Sequence, residues 1–153
     1  MLRQQINDAY KAAMVARDQA TVSAVRLIMA EFKKKDIDGR TEGYPDGVPD
    51  DQLLSLMQKM IKQRQDSITM YNQGNRPELA AKEEAEIAII ERFMPKMMSE
   101  AETDAAVAAT LAEIGATSVK DMGKAMAALK EKFAGQMDFQ KASAIVKKHL
   151  AGA

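Results

Sequence analysis

Apolar residues recur at three- and four-residue steps along nearly the whole chain, and no stretch keeps the two-residue alternation of a strand. The first run predicts a helix from about Leu2 to Arg17. A second follows Asp18 with Val22, Val25, Ile28, Met29 and Phe32, and ends in Lys33-Lys34-Lys35 before Asp38-Gly39, where cations and a glycine suit a helix C-terminus. Residues 39–49 read as a loop, with Tyr44-Pro45-Asp46-Gly47 composed for a type I turn. From about Asp50 a long helix carries Leu53, Met57, Met60, Ile61, Ile68 and Tyr71 and stops at Asn72-Gln73-Gly74. Asn75, with Glu78 three residues on and Pro77 in the first turn, predicts the N-cap of a partner helix bearing Leu79, Ile87, Ile90 and Met94. The two helices should form a hairpin.

Past Pro95 the composition shifts toward alanine and the runs shorten. Ser99 with Glu102 predicts a capping box opening a helix through Val107 and Leu111 to Gly115, and Ser118 with Asp121 caps a second bearing Met122, Met126, Leu129 and Phe133. A third starts at Asp138 and carries Phe139, Ala142, Ile145, Val146 and Leu150. The expected architecture is all-α: an N-terminal four-helix part over residues 1–95 and a C-terminal three-helix part over residues 96–153.

One position breaks the apolar seam of the long helix. Arg64 lies eleven residues before Asn75 and Glu86 eleven after it, so an antiparallel hairpin brings them together, with Glu83 one turn away. The expected result is an interhelical salt bridge that sets register, since a partly buried pair is weak evidence for function.

Composition then removes most chemistry. With 22 Lys+Arg against 22 Asp+Glu, no Cys and a single histidine among 153 residues, there is no thiol nucleophile, no Cys/His zinc set and no overall basic excess. His149, on the apolar side of the last helix, reads as a packing or surface residue. Asp36-Ile37-Asp38-Gly39 opens like a calcium loop, but Arg40 takes the next alternate position and no Glu follows at the twelfth. Gly115 through Gly123-Lys124 lacks the spacing of a phosphate loop, and Glu83, Glu84, Glu86 and Glu91 lack the Glu-x-x-His pattern of bundle metal sites. No catalytic residue, metal site or cofactor site is expected. The N-terminal residues form no apolar h-region and no segment is apolar enough to span a bilayer, so the expectation is a cytoplasmic protein with no membrane contact.

Charge is distributed unevenly in the C-terminal part. Residues 120–153 hold seven Lys against Asp121, Glu131 and Asp138. Lys120, Lys124 and Lys130 fall on or before the penultimate helix, and Lys141, Lys147 and Lys148 on the last, with Lys141 and Lys148 one heptad apart. Two readings fit them: the solvated faces of two amphipathic helices, or a patch that contacts phosphates and reads nucleic-acid shape without reading sequence.

These segments resemble the small stand-alone GatB/YqeY-domain proteins of bacteria. The likeness lies in residues 24–28, in Gln58-Lys59-Met60-Ile61-Lys62-Gln63-Arg64-Gln65-Asp66-Ser67-Ile68, in the stretch from Arg76 to Pro95, and in Lys120-Asp121-Met122-Gly123-Lys124 with its flanks. The resemblance implies a C-terminal part similar to the tail of the GatB subunit of aspartyl/glutamyl-tRNA amidotransferase, a tRNA-binding element. The carbon–nitrogen ligase label carried in such families, with glutamine as amido-N-donor, belongs to chemistry housed elsewhere in that larger enzyme.

The resulting expectation is a non-catalytic accessory protein that contacts tRNA or an RNA-containing partner through Lys120, Lys124, Lys130, Lys141, Lys147 and Lys148. In it Asp121 caps, Met122 packs and Gly123 permits close helix approach. The alternative is a protein-interaction module using Met94, Met97 and Met98, and the third reading is a genuine glutamine-dependent ligase.

Overall fold

The structure is a computed structural model that describes residues 1–152; the final residue of the expected C-terminal part, Ala153, lies outside the described residues. Seven α-helices occur among the described residues: α1 (Leu2–Val15), α2 (Gln19–Gly39), α3 (Asp50–Gln73), α4 (Pro77–Glu91), α5 (Glu100–Ile114), α6 (Met122–Lys132) and α7 (Phe139–Ala151). Two short 3₁₀ turns, Arg40–Glu42 and Val119–Asp121, follow α2 and precede α6. The chain forms two compact units, Met1–Met94 with α1 to α4 and a second from Pro95 onward with α5 to α7.

Helix ends account for most departures from the expected boundaries. Helix α1 stops two residues early because Arg17 takes a left-handed φ of 56°, and the N–H groups of Arg17 and Asp18 return to the carbonyls of Met14 and Ala13. The same paired return bonds close α3, with Asn75 (φ 56°) in the left-handed position and Arg76 N–H on Tyr71 O at 2.8 Å. Asn75 is therefore the C-terminal stop of α3 and not the N-cap of α4. That cap is Arg76, which has no side-chain capping bond, and Pro77 fits the first helical turn without needing a donor. Gly115 (φ 68°) closes α5 in the same manner. The capping box of Ser99 and Glu102 is present, as are the caps of Asp18 on α2 and Asp138 on α7.

In the first unit Ile6, Val25, Ile28, Leu53, Met57 and Ile90 are buried together, and α3 and α4 pack as a hairpin. The connection between α2 and α3 also enters this core. Val48 is 1% exposed, and a Cβ on Gly39 would lie 2.6 Å from its Cγ1. Gly39 ends α2 as the sequence predicts, but as a packing glycine with helical dihedrals; the left-handed position comes after the following 3₁₀ turn, at Gly43 (φ 100°).

A charged clamp holds Val48 in place. Arg3 Nη2 donates to Asp36 Oδ1 at 2.6 Å and to the Val48 carbonyl at 2.8 Å, while Val48 N–H donates to Asp36 Oδ1 at 2.9 Å. Burial pushes the Asp36 carboxyl up, but Arg3 and the Val48 amide outweigh it and hold the group below its ordinary 3.8.

Asp36→Ala, which strands Arg3 and the Val48 amide, is expected to cost about 1–3 kcal/mol, read as a lower denaturant midpoint at unchanged slope. Because the folded-state value is depressed, this contribution is complete at neutral pH and fades as pH falls below 3.8 through the folded value. A wild-type-to-variant gap that stays constant down to about pH 2 would contradict the assignment.

Candidate functional site

The expected lysines all lie in the second unit, on a scaffold set by its helix caps. Its core is Val107, Leu111, Ala125, Leu129, Met137, Ala142, Val146 and Leu150. Asp121 terminates the 3₁₀ turn before α6, and its carboxylate accepts from Thr117 N–H at 3.0 Å and Ser118 N–H at 3.3 Å. Those two bonds, with the Lys124 charge, lower the Asp121 carboxyl below its ordinary value despite a small opposing effect of desolvation. Met122 packs against the core as a half-buried side chain.

Lys120, Lys124, Lys130, Lys141, Lys147 and Lys148 are all exposed. They do not share one face. Two contacts mark the sides of α6 and α7 that look toward α5: Lys132 pairs with Glu113, and His149 Nε2 lies 2.9 Å from Asp104 Oδ1. At about 100° per residue, Lys124 lies about 80° round α6 from Lys132, and Lys141 and Lys148 lie about 80° and 100° round α7 from His149. Lys130 and Lys147 lie about 160° round their helices from the same contacts, on the sides away from α5.

The α5 flank also carries acids, including Glu131 one heptad from Lys124 and the residues Asp104 and Glu113 of α5 itself. By contrast, the side of α6 that carries Lys130 holds Gly123 and Ala127, and the side of α7 that carries Lys147 holds Gln140 and Ser143, with no carboxylate on either. The sequence hid this division because adjacent residues such as Lys147 and Lys148 diverge by about 100° around a helix axis.

Gly123 differs from its expected role. It is exposed, and a Cβ added there meets nothing within 4 Å, so no neighbouring helix presses on it. The methionine surface is smaller than expected too. Met94 packs against the first core and Met98 against the second, leaving Met97 at 45% exposure.

In the first unit, Arg64 Nε lies 3.0 Å from Glu86 Oε2 and 3.9 Å from Glu83 Oε2, and Arg64 Nη1 donates to the Met60 carbonyl at 3.3 Å. The Arg64 side chain is 15% exposed. All three charges are thus consumed in joining α3 to α4. No group of three or more His, Cys, Asp or Glu able to hold a metal occurs among the described residues, and among them no helix is long and apolar enough to cross a membrane.

Residues 3–150 match the family described as Yqey-like protein. The chain belongs to this YqeY-like family. Among curated relatives, it is 35% identical over 106 residues to altered inheritance of mitochondria protein 41, mitochondrial, from Lachancea thermotolerans, covering 68% of this chain and 54% of that protein. The protein of the same name from Vanderwaltozyma polyspora is 32% identical over 87 residues, covering 57% and 45%. That from Saccharomyces cerevisiae is 31% identical over 94 residues, covering 61% and 49%. The chain spans about half the length of these curated relatives, and the family reaches beyond the bacteria suggested by its sequence likeness.

Two substitutions separate structural from surface roles. Gly123→Ala is expected to raise stability by about 0.4–1 kcal/mol, since the helical φ and open space accept a Cβ; a lower melting temperature would reveal a contact at this position. Arg64→Ala should cost about 1–3 kcal/mol by stranding two half-buried carboxylates. Arg64→Met with Glu86→Leu should recover most of that loss in chemical denaturation, whereas an additive double variant would deny the pairing its register role.

Proposed function

We propose that this YqeY-like protein is a non-catalytic accessory factor that binds tRNA or an RNA-containing partner through the α6/α7 side of its C-terminal unit. The observation carrying this reading is that Lys130 and Lys147 are exposed on sides of α6 and α7 that hold no carboxylate. Neither lysine forms a salt bridge among the described residues, and the small residues beside them let a sugar-phosphate backbone approach. Lysines are point charges that release counterions without reading base edges, so recognition is of backbone shape. The resemblance of Lys120-Asp121-Met122-Gly123-Lys124 to the tail motif of the amidotransferase GatB subunit, as read from the sequence, favours the same partner class. In this reading the amide-transfer chemistry associated with the larger enzyme is not performed by this chain.

Binding of the full chain to bulk tRNA, followed by fluorescence anisotropy across a salt series, tests the proposal. Affinity should fall steeply with salt and exceed that for duplex DNA. Lys130→Glu with Lys147→Glu should weaken it more than Lys124→Glu with Lys148→Glu, and should flatten the log-log salt slope by about 0.7–0.9 for each phosphate no longer neutralised. Absence of binding at about 50 mM salt would overturn the reading in favour of a protein partner.

A further inference from the structure

The antiparallel pair α1/α2 leaves an open pocket of about 350 Å³ in the first unit. Its apolar lining comes from Ile6, Met29, Phe32 and Ile37. Ile6 and Phe32 are almost fully buried, whereas Ile37 is 49% exposed although it belongs to the same lining. Met29, Lys33 and Ile37 follow one another at four-residue steps, so they form a single line along α2. Arg26 and Arg40 extend that line at its two ends, fourteen residues apart, or about 21 Å of helix.

The charge along this line is one-sided. Asp36 is the carboxylate in the lining, and it is already held by Arg3. Lys33 and Arg40 form no salt bridge among the described residues, although the Arg40 charge acts weakly on Asp36, and Arg26 donates to the Tyr10 hydroxyl at 3.1 Å without meeting an acid.

We propose that the α1/α2 groove docks an acidic amphipathic helix of a partner protein. One or two aliphatic residues would cover Met29 and Ile37, and carboxylates one turn away would meet Lys33 and Arg40. A third helix laid between two packed helices has the geometry of ordinary ridge-and-groove packing, and methionine adapts to the side chain it receives. Charge complementarity selects an acidic partner, and the apolar lining selects a protein over RNA. Phe32 is only 5% exposed, and Tyr10 is capped by Arg26, whose guanidinium lies 5.9 Å from its ring centroid, so neither ring is free to stack a base.

The test is selection of a random helix-forming peptide library on the full-length protein, followed by anisotropy of the enriched peptides. Enriched sequences should be rich in Asp and Glu, with aliphatic residues at three- and four-residue spacing. Their affinity should fall at least about tenfold with Lys33→Glu plus Arg40→Glu, two exposed positions whose exchange leaves the circular dichroism and melting temperature near wild type. No enrichment, enrichment of basic or uncharged peptides, or equal affinity for the variant would overturn the proposal. So would a variant that retains its peptides and loses tRNA, which would assign the groove to nucleic acid. Lys130→Glu with Lys147→Glu should leave peptide binding unchanged, separating this site from the one on the second unit.

Discussion

The three-way contact of Arg3, Asp36 and Val48 is the constraint on which the first unit depends. Helices α1 and α2 are amphipathic and could pair in more than one register, because hydrophobic burial is non-directional. A carboxylate that takes two donors, Arg3 from α1 and the Val48 amide from the loop, admits one arrangement. It also draws the loop into the core, where Val48 covers Gly39 at a distance no larger residue at position 39 would allow. The start of α3 follows immediately at Asp50, so the entry of the long helix into the bundle is positioned by the same contact.

Arg64 performs a comparable task farther along the hairpin. Apolar side chains bring α3 and α4 together, while one guanidinium shared between Glu83 and Glu86 distinguishes the observed register from those shifted by a turn. The two units differ in how they use charge. The first places its principal ion pairs at helix junctions, where they are half-buried and structural. The second leaves most lysines in solvent and uses Glu113 and Asp104 to tie α5 to its neighbours. That division is why exposed lysines gather in the second unit of a chain with no net charge.

Family membership sets the frame for function without naming a reaction. The yeast relatives are each about twice as long as their matched part, and their names describe mitochondrial inheritance, not chemistry. Two surfaces with different chemistry therefore carry the functional proposals. An acid-free lysine flank suits a phosphate backbone, and an apolar groove with cations along its length suits an acidic helix. The two proposed surfaces lie on different units, so each can be altered without touching the other.

By itself the sequence determined the helices, their apolar faces and the α3/α4 hairpin, because three- and four-residue periodicity and capping residues act over one or two turns. The ion pair of Arg64 with Glu86 was legible for the same reason: the turn between two straight helices converts equal sequence offsets into proximity. Only the tertiary structure decided the roles of Asn75, Gly39 and Gly123, since a left-handed cap, a packing glycine and an exposed glycine share the same local signals and differ in what surrounds them. The Asp36 clamp was hidden because its partners lie 33 and 12 residues away in sequence, beyond any periodic pattern. The split of the lysines into two flanks belongs to this second group. Composition counts charges, but the direction in which a helix turns them is defined only once α5 has taken its side.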